Sequence, residues 1–290
     1  MRETTRRALL YGGATPLLAA MVWAGFVYEA EPDLDTLLGA ANVQMRLAYG
    51  MPERDRDGRP VPARLELIES AARNLARARL QAPESPILAE FDGFLCQLQG
   101  EPRTAAAHYR RARELPDCGP EQHDVLVFNE ARMLRAAGAP KEALAVFEAQ
   151  HRTLAPALSE QCCIERAELL HQLGRDDEAL PLLQQAAAGE QPMAWMQAGV
   201  LFARMGDPVR ADAILGRAAE AVPIADYHRA HLKLVAGDVD TCLRLLGRAA
   251  AAVPAEVRRM VREDASAWQA LDGDARFREL VEPTSATPGR

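Results

Sequence analysis

A recurring glycine constrains the fold of this protein more than any other feature of its sequence. Within the 290 residues the recurring positions are Gly100, Gly138, Gly174, Gly206 and Gly237. Successive glycines are separated by 38, 36, 32 and 31 residues. Intervals of this length are typical of repeat proteins, in which each unit packs mainly on its neighbours. The sequence therefore predicts an array of similar units rather than a single globule.

The residues that follow each glycine indicate what one unit is. A small residue stands five positions later, at Ala105, Ala143, Ala179, Ala211 and Cys242, and a bulky residue four further on, at Tyr109, Phe147, Leu183, Leu215 and Leu246. Glycine ends a helix by adopting a left-handed conformation, the small residue lets a second helix approach, and the bulky residue fills the seam. Prolines close several units. The pattern predicts helical hairpins that stack.

One unit carries a known repeat signature almost completely. Residues 194–223 contain Trp195, Ala198–Gly199, Phe202, Ala211, Leu215 and Pro223 at the spacing W-x2-L-G-x2-Y…A…P. The protein thus resembles the tetratricopeptide repeat (TPR) family over roughly residues 64 to 255, and the unit at 86–119 keeps Gly93 and Gly100. The resemblance implies an all-α, TPR-type superhelix (solenoid) of about five to six helical hairpins, preceded by an N-terminal hydrophobic helix.

Composition shifts and loop-forming stretches divide the sequence into five predicted segments. Trp268, Leu271, Phe277 and Leu280 are expected to cover the last hairpin. The segments are an N-terminal anchor or export segment at 1–33, a degenerate first hairpin at 34–85 with an inserted loop at 50–63, the TPR array at 86–255, C-terminal capping helices at 256–282, and a disordered tail at 283–290.

The N-terminus contains 21 residues without a charge, residues 8–28, between Arg7 and Glu29. As a helix they would span about 30 Å, the thickness of a bilayer's hydrocarbon core. Arginines before the run and acidic residues after it predict a membrane anchor with the array on the periplasmic, extracytoplasmic side. Two alternatives stay open. One is a cleaved export signal that leaves an exported soluble protein, since "TRRALL" resembles a twin-arginine leader, and the other is a soluble buried helix that starts at Pro16 in a cytoplasmic protein.

Residues that could carry chemistry are few. The formal net charge of −7 shows no basic excess, so no nucleic-acid partner is predicted. Cys162 and Cys163 are either a vicinal disulfide or two small buried residues, and His228 and His231 lie three apart without a third metal ligand. Common catalytic motifs are missing from the sequence. We therefore predict no catalytic residue, no cofactor, no metal and no enzymatic activity.

The resemblance implies where a partner would bind. In TPR proteins the first helices of the hairpins line a concave groove, and contacts come from recurring positions on them. Carried over to this sequence, the implied groove residues are Phe94, Phe128, Asn129, Arg132, Arg135, Glu168, His171, Met193, Met196, Tyr227 and His231. Aromatic and methionine anchors with an arginine pair suit a protein or peptide partner. The alternative is that the apolar members pack against a neighbouring helix.

These observations predict a non-enzymatic protein–protein interaction scaffold, located at a bacterial cell envelope. Two alternatives are a soluble cytosolic TPR adaptor and a noncatalytic helper subunit of an envelope enzyme or secretion complex. No feature of the sequence predicts an oligomeric state.

Overall fold

The computed structural model describes residues 32–55, 58–149 and 156–281, and within these ranges the regular structure is helical apart from an isolated bridge between Arg54 and Pro60. The expected membrane or export segment, up to residue 31, lies outside the described residues, and so does the predicted tail at 283–290. None of the helices within the described ranges is both long and apolar enough to cross a bilayer.

The described residues form two compact units, which divide between Glu101 and Pro102. The described part of the first unit contains α1 (Leu34–Tyr49), α2 (Pro62–Gln81) and α3 (Pro86–Leu98). α1 and α2 form a hairpin, and α3 packs on both. Their shared core is built from residues at helical spacing, which are Leu37, Ala41, Met45 and Ala48 on α1, Ile68, Ala71, Leu75 and Ala78 on α2, and Leu88 and Leu98 on α3.

The second unit contains twelve described helices in sequence. They are α4 (Pro102–Glu114), α5 (Pro120–Ala136), α6 (Pro140–Glu148), α7 (Pro156–Gln172), α8 (Asp176–Ala188), α9 (Pro192–Arg204), α10 (Pro208–Ala218), α11 (Ala225–Val235), α12 (Val239–Ala252), α13 (Pro254–Glu263), α14 (Ala265–Trp268) and α15 (Ala275–Val281). Consecutive helices from α4 to α13 pack against each other, and α5, α7, α9 and α11 also meet in succession. The hairpins of this unit therefore stack with their first helices side by side.

Local sequence signals set the ends of these helices. The five recurring glycines all have a positive φ, between 71° at Gly174 and 82° at Gly206, which confirms the predicted left-handed turns. Among the described helices, nine begin with proline, whose fixed φ suits the first helical position and whose missing N–H would have no partner there. Each hairpin thus carries its own start and turn signals.

Ion pairs join three of the hairpins to the preceding helix at one repeat position. Where the TPR signature has leucine, this protein has Asp92, Glu130 and Arg229 in three repeats. In the first unit Arg79 of α2 lies 2.7 Å from Asp92, and in the second Arg229 donates to Asp212 of α10 over 2.9 Å. Fully buried Glu130 accepts hydrogen bonds from Arg110 and Arg113 of α4, each over 2.7 Å. Charge pairing here replaces the usual apolar contact.

The C-terminal helices close the last hairpin. Trp268 is 1% exposed and shares a core with α11 and α12, together with Leu271 and Phe277. Its indole Nε1 donates to the Tyr227 hydroxyl over 3.0 Å, and its ring stacks on Phe277 at 5.9 Å. A terminal repeat has no following neighbour, so these aromatic residues take that place.

The adjacent cysteines are packed as small apolar residues. Cys162 and Cys163 are free thiols buried on α7. Burial raises the pKa of Cys162 to about 12, which keeps this thiol protonated and unreactive.

Candidate functional site

A groove runs across the first helices α5, α7 and α9 of the second unit, with a cavity volume of about 530 Å³. Each helix contributes side chains three or four residues apart, which is the spacing of a single helical face. The lining residues are Phe128, Arg132 and Arg135 on α5, Gln161, Ile164, Glu165 and Glu168 on α7, Met196, Gln197, Val200, Leu201 and Arg204 on α9, and His228 on α11.

A charged network links the three helices along the groove. Arg135 Nε and Nη2 donate to the two carboxylate oxygens of Glu165 over 3.0 and 3.2 Å, which is a bidentate arrangement. Arg135 Nη1 also lies 3.4 Å from Glu168 Oε1, to which Arg204 Nη1 donates over 2.8 Å. Glu165 is buried, and this burial raises its pKa even though Arg135 opposes the shift. Both groove carboxylates are therefore paired within the protein.

Arg132 is the groove arginine without a hydrogen bond or ion pair to the described residues, although its charge acts to lower the pKa of Glu165. Its guanidinium carbon lies 5.5 Å from the centroid of the Phe128 ring, within the range of a cation–π contact. Among the described residues no carboxylate lies within ion-pair distance of Arg132. Its planar group consequently presents N–H donors to the groove.

The rest of the lining is largely apolar. Ile164 and Leu201 are buried at the base, whereas Phe128, Met196 and Val200 are half-buried. Gln197 Oε1 is shielded from solvent and accepts no hydrogen bond from the described residues. A shielded acceptor without a partner is costly, so this amide favours a ligand that donates an N–H.

His228 closes the groove at its α11 end. Its ring meets Tyr227 edge-on with centroids 5.4 Å apart. Burial lowers the pKa of His228, and the neighbouring His231 acts in the same direction. The imidazole is therefore neutral at physiological pH and offers a hydrogen-bonding group without charge.

Five of the residues implied by the resemblance line this groove: Phe128, Arg132, Arg135, Glu168 and Met196. The other six lie elsewhere. Phe94 belongs to the first unit, where its ring lies 5.9 Å from Tyr49. Half-buried Asn129 and exposed Met193 are outside the lining, and His171 Nδ1 lies 2.7 Å from Asp176 Oδ1. Tyr227 is buried, and both it and His231 contact Trp268, so the C-terminal helices cover these two positions.

Several lining residues were missed by the sequence reasoning. Gln197 follows the implied groove residue Met196 by one position, Glu165 lies one turn before the implied Glu168, and Arg204 lies two turns beyond Met196 on α9. The spacing of Gln197, Leu201 and Arg204 is itself helical, so a wider face of α9 could have been inferred from the sequence. Across the described ranges, no group of three His, Cys, Asp or Glu side chains is placed to hold a metal ion.

Comparison with known proteins supports the repeat architecture. No family model matches this protein, and no curated protein sequence matches it. Among solved structures, pilF of Pseudomonas aeruginosa is 18% identical with a TM-score of 0.50, and the match covers 78% of this protein and 98% of that one. YrrB, described as a TPR protein with an unusual peptide-binding site, is 19% identical with a TM-score of 0.41. The match covers 68% of this protein and 96% of YrrB.

The fold and the groove define a helical repeat protein. More specifically, these neighbours are TPR proteins, and this protein has a TPR-type fold, as the sequence predicted.

Proposed function

We propose that this protein is a non-enzymatic interaction scaffold that binds a peptide segment of a partner protein in the groove of α5, α7 and α9. The observation that carries this proposal is the groove itself, where apolar side chains surround Arg132 and the unpaired Gln197 oxygen. Its volume of about 530 Å³ is within the range of ligand-binding clefts and is sufficient for a few side chains.

A displayed library of random peptides, selected on the immobilised full-length protein, tests this proposal. Phe128→Ala removes an aromatic anchor from the groove, and we expect it to weaken the selected peptides about tenfold or more. Val125→Ala is the matched control, because Val125 is exposed on the same helix and outside the lining. Equal binding by both variants, or no enrichment on the wild-type protein, would contradict the proposal.

We also propose that residues 8–28 hold the protein at the cell envelope with the groove on the extracytoplasmic side. The support is the uncharged run of 21 residues with arginines before it. Fusion of residues 1–33 to a phosphatase that is active only outside the cytoplasm is expected to give activity. An inactive fusion would favour the cytosolic adaptor instead.

A further inference from the structure

One face of α1 in the first unit is exposed and carries no charge. The residues of this face, called here the α1 seam, are Thr36, Ala40, Val43 and Leu47, and all four are exposed, Val43 by 58% and Leu47 by 53%. Their spacing of four, three and four residues is that of the line along which two helices pack in a coiled coil. The opposite face of α1 is already buried in the core of the first unit.

The other helix of the same hairpin has a different solvent face. The exposed residues of α2 include four charged side chains, which are Glu66, Glu69, Arg73 and Arg77. Charged side chains keep such a face hydrated, whereas an apolar line of residues left in water is unfavourable and marks an interaction surface. Because no described residue covers the α1 seam, we expect a further element to pack on it.

Two exposed charges flank the seam on one edge of α1. Asp35 in the first turn and Arg46 in the last turn are 11 residues apart, which is about three helical turns, so they lie on the same side of the helix. They are about 16 Å apart along the helix axis and therefore too distant to pair with each other in one copy. Neither forms an ion pair within the described residues. Arg46 Nε donates to Asn42 Oδ1 over 3.1 Å, which leaves its Nη groups available.

This arrangement of charge and apolar surface is complementary to itself. If a second copy of α1 packs antiparallel on the first, about a two-fold axis near Ala40, then Asp35 of each copy lies beside Arg46 of the other. The same axis brings Val43 and Leu47 of one copy onto the seam of the other, and the small side chain of Ala40 permits close approach where the helices cross. A two-fold contact of this kind uses the same surface of both copies, so it covers both seams at once.

We propose that this protein forms an antiparallel homodimer through the α1 seam, with two ion pairs between Asp35 of one copy and Arg46 of the other. The contact shares no residue with the groove of the second unit and does not depend on the proposed peptide binding. A single helix pair is at the small end of protein interfaces, and exposed ion pairs add little to affinity, so we expect a Kd in the micromolar range, on the order of 1–100 μM.

Cysteine cross-linking of the full-length protein tests the contact directly. A residue beside the two-fold axis lies next to its own copy, so Ala40→Cys should give a disulfide-linked dimer on mild oxidation. Ala76→Cys is the matched control, because Ala76 is exposed on α2 outside the seam, and the wild-type protein accounts for the native thiols. We expect at least about tenfold more cross-linked dimer from Ala40→Cys than from either control, since a disulfide requires close Cα atoms. Equal yields would contradict the proposal.

Charge exchange separates pairing between copies from a role within one copy. Asp35→Arg and Arg46→Asp each place like charges at both contacts, so each variant alone should dimerise about tenfold or more weakly in sedimentation experiments. In a mixture of the two variants both contacts again have opposite charges, and a heterodimer with about the wild-type Kd should form. Glu66→Arg, a charge reversal on the exposed face of α2, is the control and should leave the Kd unchanged.

Two results would overturn the inference. One is a wild-type protein that stays monomeric at about 100 μM, which is well above the expected Kd. In that case residues 8–28 or a different protein would be the element that covers the seam. The other is a dimer that neither weakens in the single variants nor recovers in their mixture, because such a dimer would form through another surface.

Discussion

Gly199 lies where α9 comes closest to α10. A Cβ atom at this position would lie 2.6 Å from Leu215 Cγ and 3.3 Å from the carbonyl oxygen of Ala211. The glycine of the TPR signature is thus required here by helix–helix packing, whereas Gly206 is required by its φ of 82°. Two glycines seven residues apart serve different physical needs.

Replacement of Gly199 by alanine is therefore expected to destabilise the protein. Overpacking of a core lowers the free energy of unfolding by about 1–3 kcal/mol. This loss outweighs the gain of about 1 kcal/mol that alanine has over glycine as a helix former. Gly39→Ala is the opposite control, because Gly39 is inside α1 with open space around it and should gain stability. Urea unfolding measures both variants, and a stabilised Gly199→Ala would show that the two helices can separate without cost.

At the scale of elements, buried ion pairs attach one hairpin to the next. Glu130 on α5 is fully buried between Arg110 and Arg113 of α4, whereas Arg103 and Glu142 form a pair in which both side chains are largely exposed. A buried charge that loses its partners remains desolvated, but an exposed one returns to water.

The double substitution Arg110→Ala/Arg113→Ala should lower the free energy of unfolding by about 3–5 kcal/mol, because it leaves Glu130 uncompensated. Arg103→Ala should change it by at most about 1 kcal/mol. Chemical denaturation of both variants compares these costs. Similar small effects would mean that Glu130 reaches solvent or accepts a proton once its partners are removed.

His228 on α11 makes the stability of the folded protein depend on pH. Its folded pKa is lowered by burial and by His231, while the unfolded protein has the ordinary value of about 6.5. Below that pH the unfolded state binds more protons, so this residue's contribution to stability is present at neutral pH and is lost as the pH falls. His228→Gln should therefore show a smaller drop in Tm between pH 7.5 and 5.5 than the wild type. An equal drop would assign the acid sensitivity to other groups.

At the scale of the whole molecule, the second unit has one end closed by its own C-terminal helices. Trp268, Tyr227 and Phe277 form an aromatic cluster over α11 and α12, and the Tyr227 hydroxyl also donates to Asp264 Oδ2 over 3.1 Å. In repeat proteins, stability depends on each unit and on its contact with the next. Loss of the aromatic cluster should therefore lower the stability mainly of the hairpin formed by α11 and α12.

Trp268→Ala is expected to lower the free energy of unfolding by about 3–5 kcal/mol. Amide hydrogen exchange should accelerate more in α11 and α12 than in α5 and α6. Arg259→Ala, on the exposed face of α13, is the control and should leave both regions unchanged. Uniform acceleration along the second unit would instead show that its hairpins unfold as a single cooperative block.

The sequence predicted the repeat well because its signals are local. A glycine that requires a positive φ, or a small residue that permits close packing, can be recognised without knowing its neighbours. The groove depends on contacts between distant residues, which explains the misses. Nothing local distinguishes Arg135, which binds Glu165 of the next hairpin, from Arg132, which has no such partner within the described residues. Tyr227 is at an implied groove position of its own repeat, but it is buried and its ring contacts Trp268 of α14, which no local signal predicts.

Proline at the start of nine described helices and glycine at five of the turns have a consequence for how a protein of this kind can change in evolution. Because each pair of helices is delimited by residues inside it, duplication or deletion of a whole pair leaves the folding signals of the others untouched. The new junction must still have complementary charges, as Arg229 and Asp212 are, and apolar surfaces that pack, as Leu215 and Ala225 do. The number of repeats can therefore vary without loss of the helix start and turn signals of the remaining hairpins.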